Sequence, residues 1–144
     1  MQKDFKTWNN LKSQIHHSHK SPQFRELEIW WCSLGTNIGV EEDGKNQSFE
    51  RPVLIFRKFN NEMFWGLPIT SKIKNGKFYF IFKLHNQERS ILLSQIRIWS
   101  SKRLIRRISK ISDKQFHHLN NAFIFLINKT DPLRGPRVPN GNSI

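Results

Sequence analysis

Arg51-Pro-Val-Leu-Ile-Phe-Arg-Lys-Phe59, then Asn60-Asn61, then Met63-Phe-Trp-Gly-Leu-Pro-Ile-Thr-Ser71 is the stretch from which the rest of the chain can be read. Both runs are rich in β-branched and aromatic residues, and the Asn pair between them signals a turn. They read as one strand over Pro52–Phe59 and a returning strand that starts with Met63–Leu67. Each joins apolar residues to a group able to touch a phosphate. Arg51 offers a permanent planar cation whose fork matches phosphate oxygens. Thr70 and Ser71 offer adjacent hydroxyls, and Lys72 and Lys74 follow them.

Upstream of this pair, residues 1–20 show helical spacing, with Phe5, Trp8, Leu11 and Ile15 on one face. His16, His17 and His19 follow, without a supporting carboxylate, and read as a solvated helix end. Pro22 closes the segment. From Glu28 the period changes to that of a strand, Glu28-Ile-Trp-Trp-Cys-Ser-Leu34, which ends at Gly35. Residues 35–50 read as a polar loop.

Downstream, Asn75-Gly76 is a strong hairpin signal. It leads into Phe78-Tyr-Phe-Ile-Phe-Lys-Leu84, where Phe78, Phe80, Phe82 and Leu84 alternate on one face. Ser90 to Trp99 reads as one strand and Arg103 to Ile108 as a short last one. Five or six short strands with tight turns predict a small, strongly curved barrel. Ser112-Asp-Lys-Gln115 is a capping box. It opens a helix whose apolar stripe is Phe116, Leu119, Phe123 and Ile127, and Asp131-Pro132 stops it. The predicted organisation is an N-terminal helical extension over 1–25, a main domain over 26–130 and a flexible tail over 131–144.

The 144 residues carry 24 Lys and Arg against 11 Asp and Glu, a formal net charge of +13. Such an excess favours a polyanionic partner. Five Trp and twelve Phe supply rings of the kind that stack on unpaired bases, although most belong to the core. Cys32 is the only cysteine, which excludes an intrachain disulfide and a cysteine-rich zinc site. The start lacks the apolar run of a signal peptide, and no apolar stretch reaches membrane-spanning length. The chain reads as cytoplasmic, with no membrane partner.

Arg51 precedes a proline, so its backbone is held extended. Its side chain is expected at a barrel rim, outside the core. Its replacement should therefore change stability little. A surface ion pair with Glu41 or Glu50 is the plainer reading of this residue. Arg97, Lys102, Arg103, Arg106, Arg107 and Lys110 form a run without an acidic residue, a candidate track for a polyanion. Trp99 within it is placed to stack on a base.

There is no Walker loop, no Gly-rich dinucleotide fingerprint and no acidic cluster suited to a two-metal nuclease. A metal-free route to phosphodiester cleavage suits RNA, whose own 2′-hydroxyl can attack the adjacent phosphorus. The protein must then stabilise a charged pentacoordinate phosphorus and manage two protons. Arg51 suits the first task; Glu41 or His85 is placed in sequence to accept a proton.

The order Glu28-Ile-Trp-Trp-Cys-Ser-Leu-Gly35, Gly39-Val-Glu-Glu-Asp-Gly44, Arg51-Pro-Val-Leu-Ile55, Pro68-Ile-Thr-Ser71, Ser94-Gln-Ile-Arg97 and Lys102-Arg-Leu104 resembles the MazF/PemK family of toxins. The resemblance covers about residues 26–128. It implies a mainly β fold with α, an SH3-like small β-barrel of the CcdB/PemK type. A C-terminal helix belongs to that fold; the N-terminal helix is extra to it.

The resemblance further implies the toxin of a type II toxin–antitoxin system: a metal-independent, sequence-specific endoribonuclease acting on single-stranded mRNA, without cofactors. It implies a homodimer, a cognate antitoxin with an acidic segment, and operator DNA contacted only through the antitoxin complex. The family's catalytic Arg and Thr fall on Arg51 and Thr70; Glu41, Ser71, Lys72, Gln95, Arg97, Lys102 and Arg103 are expected to bind the RNA in this chain. Three departures stand out: the extra residues Lys45 to Glu50, Glu42 in place of the usual Gln, and Ser94 in place of the usual Asp. The alternatives are a basic RNA-binding module without catalysis and a toxin aimed at DNA gyrase.

Overall fold

A computed structural model describes residues 2–128. The element order is α1 (Phe5–His17), β1 (Glu28–Ser33), β2 (Glu50–Lys58), β3 (Met63–Thr70), β4 (Tyr79–Leu84), β5 (Gln87–Leu92), β6 (Arg97–Ser100), β7 (Leu104–Lys110) and α2 (Asp113–Asn128). One-turn 3₁₀ segments sit at Leu93–Gln95 and Ser101–Arg103. The expected tail and the Asp131-Pro132 stop lie outside the described residues.

The strands form one strongly curved, half-barrel sheet in the order β4-β5-β3-β2-β1-β7, with β6 also on β3. β3 is the hub. One edge pairs with β2 along most of its length. The other edge is shared: Met63–Gly66 pairs with β6, and Ile69 and Thr70 pair with β5. A strand divided in this way turns the sheet over on itself. Gly66 sits at the crease. A Cβ there would stand 2.6 Å from Val53 Cγ1 and 2.7 Å from Trp99 Cδ1, closer than packed carbons allow.

Two apolar clusters fill the curve. One gathers Trp30, Cys32, Val53, Ile55, Phe64, Trp99 and Leu104 between the strands. The other lies under α2 and contains Ile29, Leu54, Phe56, Leu67, Ile91 and Leu119. The capping box forms as predicted: Gln115 N–H donates to Ser112 Oγ at 3.1 Å, and Ser112 N–H donates to Gln115 Oε1 at 3.3 Å. Phe116 and Phe123 bracket Phe56, with ring centroids 5.7 and 5.0 Å away. Ile127, expected in the apolar stripe, is 64% exposed, and Leu126 packs on the core in its place. Along the stripe from Phe123 the turn is completed by i+3, not i+4.

Three local expectations are corrected. Asn75-Gly76 does not close a hairpin: β3 and β4 are not partners, and the pair lies in the 71–78 connection. The tight hairpin joins β4 to β5 through His85-Asn86, both with positive φ (50° and 63°), as a two-residue primed turn requires. Asn favours that backbone and His tolerates it, but the sequence lacks a glycine to announce it. The predicted strand Ser90–Trp99 is two strands split by a 3₁₀ turn at Leu93–Gln95, which moves the chain from the β5 to the β6 side of β3. The first helix is shorter than residues 1–20; Trp8 is buried and Phe5 is half exposed.

Leu119 is fully buried on α2. Leu119→Ala should cost about 2–5 kcal/mol, read as a lower urea midpoint at unchanged slope. Cys32 is also fully buried, and desolvation pushes its thiol from 9.0 up to about 12. The unfolded thiol ionises first. This contribution to stability is therefore intact below about pH 9 and is lost as pH rises toward about 12. Native protein at neutral pH should resist a disulfide reagent that labels it fully once unfolded.

Candidate functional site

Strand register brings the two quoted stretches together. Val53 lies opposite Pro68 in the β2–β3 ladder. Arg51 and Thr70 each lie two residues beyond that last pair, at neighbouring ends of the two strands. The Arg51 guanidinium reaches from β2 to β3, where its Nη1 donates to the carbonyl of Ile69 at 3.3 Å.

Arg51 is not the rim residue that its place before proline predicts. It is 8% exposed, and each arm of its fork is engaged. Nε donates to the carbonyl of Asp43 at 2.7 Å, and Nη2 pairs with Glu42 Oε1 at 2.7 Å. The ion-pair partner is thus Glu42, neither Glu41 nor Glu50. Glu41 turns back on its own loop, its Oε1 accepting from Ile38 N–H at 2.8 Å. Glu50 accepts from Arg106 instead.

The long loop carries Glu42 and Asp43 over β2 because both of its ends are tied. Gly35 N–H donates to Phe49 C=O at 3.1 Å and Gly44 N–H to Gly35 C=O at 2.8 Å. A Cβ at Gly44 would overlap Phe49 O at 1.7 Å, so the return of the loop needs glycine there. Gln95, from the 3₁₀ turn, holds the loop from the opposite side. Its Oε1 accepts from Glu42 N–H at 3.1 Å, and its Nε2 donates to Val40 C=O at 3.2 Å.

Arg51 and Thr70 form a saddle between two hollows and line both. One, of about 420 Å³, is walled by Lys45, Lys72, Lys74, Tyr79, Ser94 and Gln95 with Glu42. The other, of about 510 Å³, is walled by Trp31, Pro52, Ser71, Leu84, His85 and Arg89 among others. Arg106 covers Trp31 at 5.0 Å from the ring centroid. Thr70 Oγ1 accepts from Lys72 N–H at 3.3 Å, and Lys74 N–H donates to Ser90 Oγ at 2.9 Å. The connection that bears the lysines is therefore folded back onto the strand end. A polyanionic strand laid across the saddle meets cations on both flanks and an aromatic side chain in each hollow. Among the described residues no group of three His, Cys, Asp or Glu is arranged to hold a metal ion.

Of the residues named from sequence, Arg51, Thr70, Ser71, Lys72 and Gln95 gather here, with His85 in the second hollow. Glu41 does not line either hollow. The basic run is dispersed by the fold. Arg103 Nη1 points inward to the carbonyls of Ser33 and Leu34 at 3.1 and 3.4 Å, and burial lowers its pKa from the ordinary value. Arg97 and Arg103 stack over Trp99 at 4.6 and 4.8 Å. Trp99 is itself buried, so it cannot present a face to a base. Lys102 Nζ donates to the carbonyl of His16, at the end of α1. Arg106 and Arg107 find Glu50 and Glu28 across the sheet. Tyr79 and Trp31 went unnoticed as site residues. Period-two alternation with Phe80 and Phe82 places Tyr79 on the opposite face, the one signal available beforehand.

Residues 25–127 match the model of the family described as PemK-like, MazF-like toxin of type II toxin–antitoxin systems. A search of curated proteins by sequence finds no match. Solved structures share the fold at low identity. An endoribonuclease in complex with its cognate antitoxin, from a mycobacterial species, is 11% identical and covers 76% of this chain and 100% of its own, with a TM-score of 0.55. The Mycobacterium tuberculosis toxin MazF-mt6 is 17% identical over 67% of this chain and 91% of its own, with a TM-score of 0.52. MazF from Deinococcus radiodurans is 16% identical over 75% of this chain and 97% of its own, with a TM-score of 0.58.

The buried fork of Arg51 changes the expected cost of removing it. Arg51→Ala strands the Glu42 carboxylate and two carbonyls, so stability should fall by about 1–3 kcal/mol, measured as a lower urea midpoint. A rim arginine would show no such loss.

Proposed function

Because the chain belongs to the PemK-like, MazF-like toxin family of type II toxin–antitoxin systems, we propose that it is a metal-independent endoribonuclease that cleaves single-stranded mRNA at a specific sequence. The observation that supports this reading best is the convergence of Arg51 and Thr70 from different strands on one saddle, flanked by Lys45, Lys72, Lys74 and Arg89.

In the proposed mechanism the RNA backbone crosses the saddle. Its scissile phosphate takes the place of the Glu42 carboxylate on the Arg51 fork, a match of one planar anion for another. The 2′-hydroxyl on the 5′ side attacks the phosphorus, giving up its proton, and the 5′-oxygen leaves as a hydroxyl. The products are a 2′,3′-cyclic phosphate and a 5′-hydroxyl end. Arg51 stays protonated throughout and stabilises the charge that builds on the equatorial oxygens. Thr70 Oγ donates to the same phosphate, exchanging its present role as acceptor from Lys72 N–H. Two groups are the candidates to handle the protons: the Glu42 carboxylate once displaced, and His85, which lines the second hollow with Arg51 and Thr70. Ser71, Lys72 and Gln95 line the path of the strand. Arg97, Lys102 and Arg103 have internal partners and are not assigned to it.

The same family reading proposes a homodimer and a cognate antitoxin whose acidic segment covers the basic groove, with operator DNA contacted through that complex. The toxin domain is taken as 26–130 with the helical extension before it. None of the helices among the described residues is long and apolar enough to cross a membrane, in keeping with a cytoplasmic mRNA substrate.

A second reading, a barrel that holds RNA without cutting it, draws on the Glu42 ion pair, which leaves no free arm on Arg51. Purified protein incubated with total RNA and EDTA, followed by sequencing of the ends, separates the two. Cleavage that survives EDTA and leaves 2′,3′-cyclic phosphates supports the enzyme; intact RNA after long incubation supports the binder. Arg51→Ala should abolish cleavage. Thr70→Ala should lose one hydrogen bond to a charged group, about 1.5–3 kcal/mol in the barrier, which appears as a fall in kcat/KM of roughly 10- to 150-fold. Glu42→Gln keeps the shape of the side chain and removes the competing charge. RNA affinity should then rise in a filter-binding titration at low salt, and a fall would place Glu42 on the productive side of binding.

A further inference from the structure

The N-terminal extension touches the toxin-like body at the loop that holds Arg51. The Lys3 ammonium makes two hydrogen bonds and one ion pair there. Nζ donates to the carbonyls of Asn37 at 2.6 Å and Gly39 at 3.0 Å, and it pairs with Asp43 Oδ2 at 3.1 Å. The other oxygen of that carboxylate accepts from Asn37 N–H at 2.6 Å. Asn37 Nδ2 in turn donates to the carbonyl of Glu42 at 2.8 Å. Residues 37–43 are thus drawn into one polar knot with Lys3 at its outer side. The knot presents the two groups that orient Arg51, the carbonyl of Asp43 and the carboxylate of Glu42.

Lys3 can do this because α1 is anchored independently. Asp4 caps the helix, accepting from Thr7 N–H at 3.0 Å. Trp8, one turn in, is buried against both ends of the same loop. Its ring lies so close over Gly35 that a Cβ there would stand 2.2 Å from it, and it meets Phe49 at 5.5 Å between centroids. Arg103 stacks on it at 5.7 Å, and Lys102 holds the C-terminal end of the helix through His16. The ammonium is therefore delivered by a fixed helix rather than by a free chain end. Lys3, Asp4 and Trp8 all precede residue 25, where the family match begins.

We propose that Lys3 is a positioning residue: it braces the 37–43 loop and, through Asp43 and Glu42, sets the Arg51 guanidinium in line with Thr70. The inference rests on the reading of Arg51 as the group that holds the scissile phosphate. It assigns the added helix a role in the chemistry of the same chain. A displacement of about 1 Å at a group that must align with the reacting phosphate can lower a rate by roughly 100-fold, so a remote brace has leverage on kcat.

The test uses the full chain with Lys3→Gln and Lys3→Arg, and reads two quantities. The first is amide hydrogen exchange of the 37–44 loop, which does not depend on catalysis. The second is kcat and KM on a single-stranded RNA that the wild type cuts. In Lys3→Gln, loop exchange should rise about tenfold and kcat should fall about tenfold or more with a far smaller change in KM. Lys3→Arg should restore most of both, because its donors can reach the same three oxygens. Unchanged loop exchange in Lys3→Gln overturns the brace. Faster exchange with unaltered kcat overturns the positioning role. Arg51→Ala is run beside them: full cleavage by that variant removes Arg51 from the mechanism and with it the functional reading, while the exchange result still decides whether Lys3 braces the loop.

Discussion

The guanidinium of Arg51 is taken out of water without being neutralised, and the architecture around it follows from that constraint. A buried cation needs a counter-charge and acceptors for its protons. The 35–49 loop supplies one carbonyl and one carboxylate, and β3 supplies the other carbonyl. The loop must therefore return over β2, which sets the need for glycine at position 44 and for ties at positions 35 and 49. In turn the fork is preorganised. Its plane is held by the two carbonyls, which stay in place if an anion exchanges for the Glu42 carboxylate.

Glu42 gives the site its particular character. A glutamine there would satisfy a hydrogen bond but not the charge. With glutamate the cation is paired at 2.7 Å, and under the proposed function an incoming phosphate meets a competitor of like charge. The surrounding lysines offset this. Lys45, Lys72 and Lys74 border the same hollow and raise the local concentration of a polyanion. A small neutral ligand gains nothing from that field. Under the proposed function a long single strand does, because it can hold several cations at once while one phosphate displaces the carboxylate.

Much of the remaining positive charge has partners within the fold. Arg103 donates to backbone carbonyls and, with Arg97, encloses Trp99. Arg106 and Arg107 bridge β7 to Glu50 and Glu28. These pairs are partly exposed and contribute little individually to stability. What they do is set where the side chains lie: Arg106, paired with Glu50, rests over Trp31 at the edge of the second hollow, and Arg107 is held by Glu28. The cations that line the two hollows, Lys45, Lys72, Lys74 and Arg89, lie outside the basic run that the sequence displays, and of that run Arg106 comes nearest, over Trp31.

Some features are local, and these the sequence alone determined. The strand–turn–strand of β2 and β3, the capping box at Ser112, the Trp8 helix and the family pattern all follow from residue types at short spacing, where propensity and periodicity operate. The pairing of residues far apart in the chain belonged to the tertiary structure. The β2–β3 pairing brought the strand ends that carry Arg51 and Thr70 together, and the returning loop decided that Arg51 is buried and that Glu42, rather than Glu41 or Glu50, is its partner. Period two still left Tyr79 unread as a wall of the site, and the primed turn at His85-Asn86 had no glycine to mark it. Charge runs mislead for the same reason: sequence neighbours on a strand point to opposite faces, and only the fold shows which carboxylate each cation meets. The grip of Lys3 on Asp43, spanning forty residues, is of this kind. An ion pair carries no sequence signature of its own, since any lysine suits any aspartate until packing brings the two together.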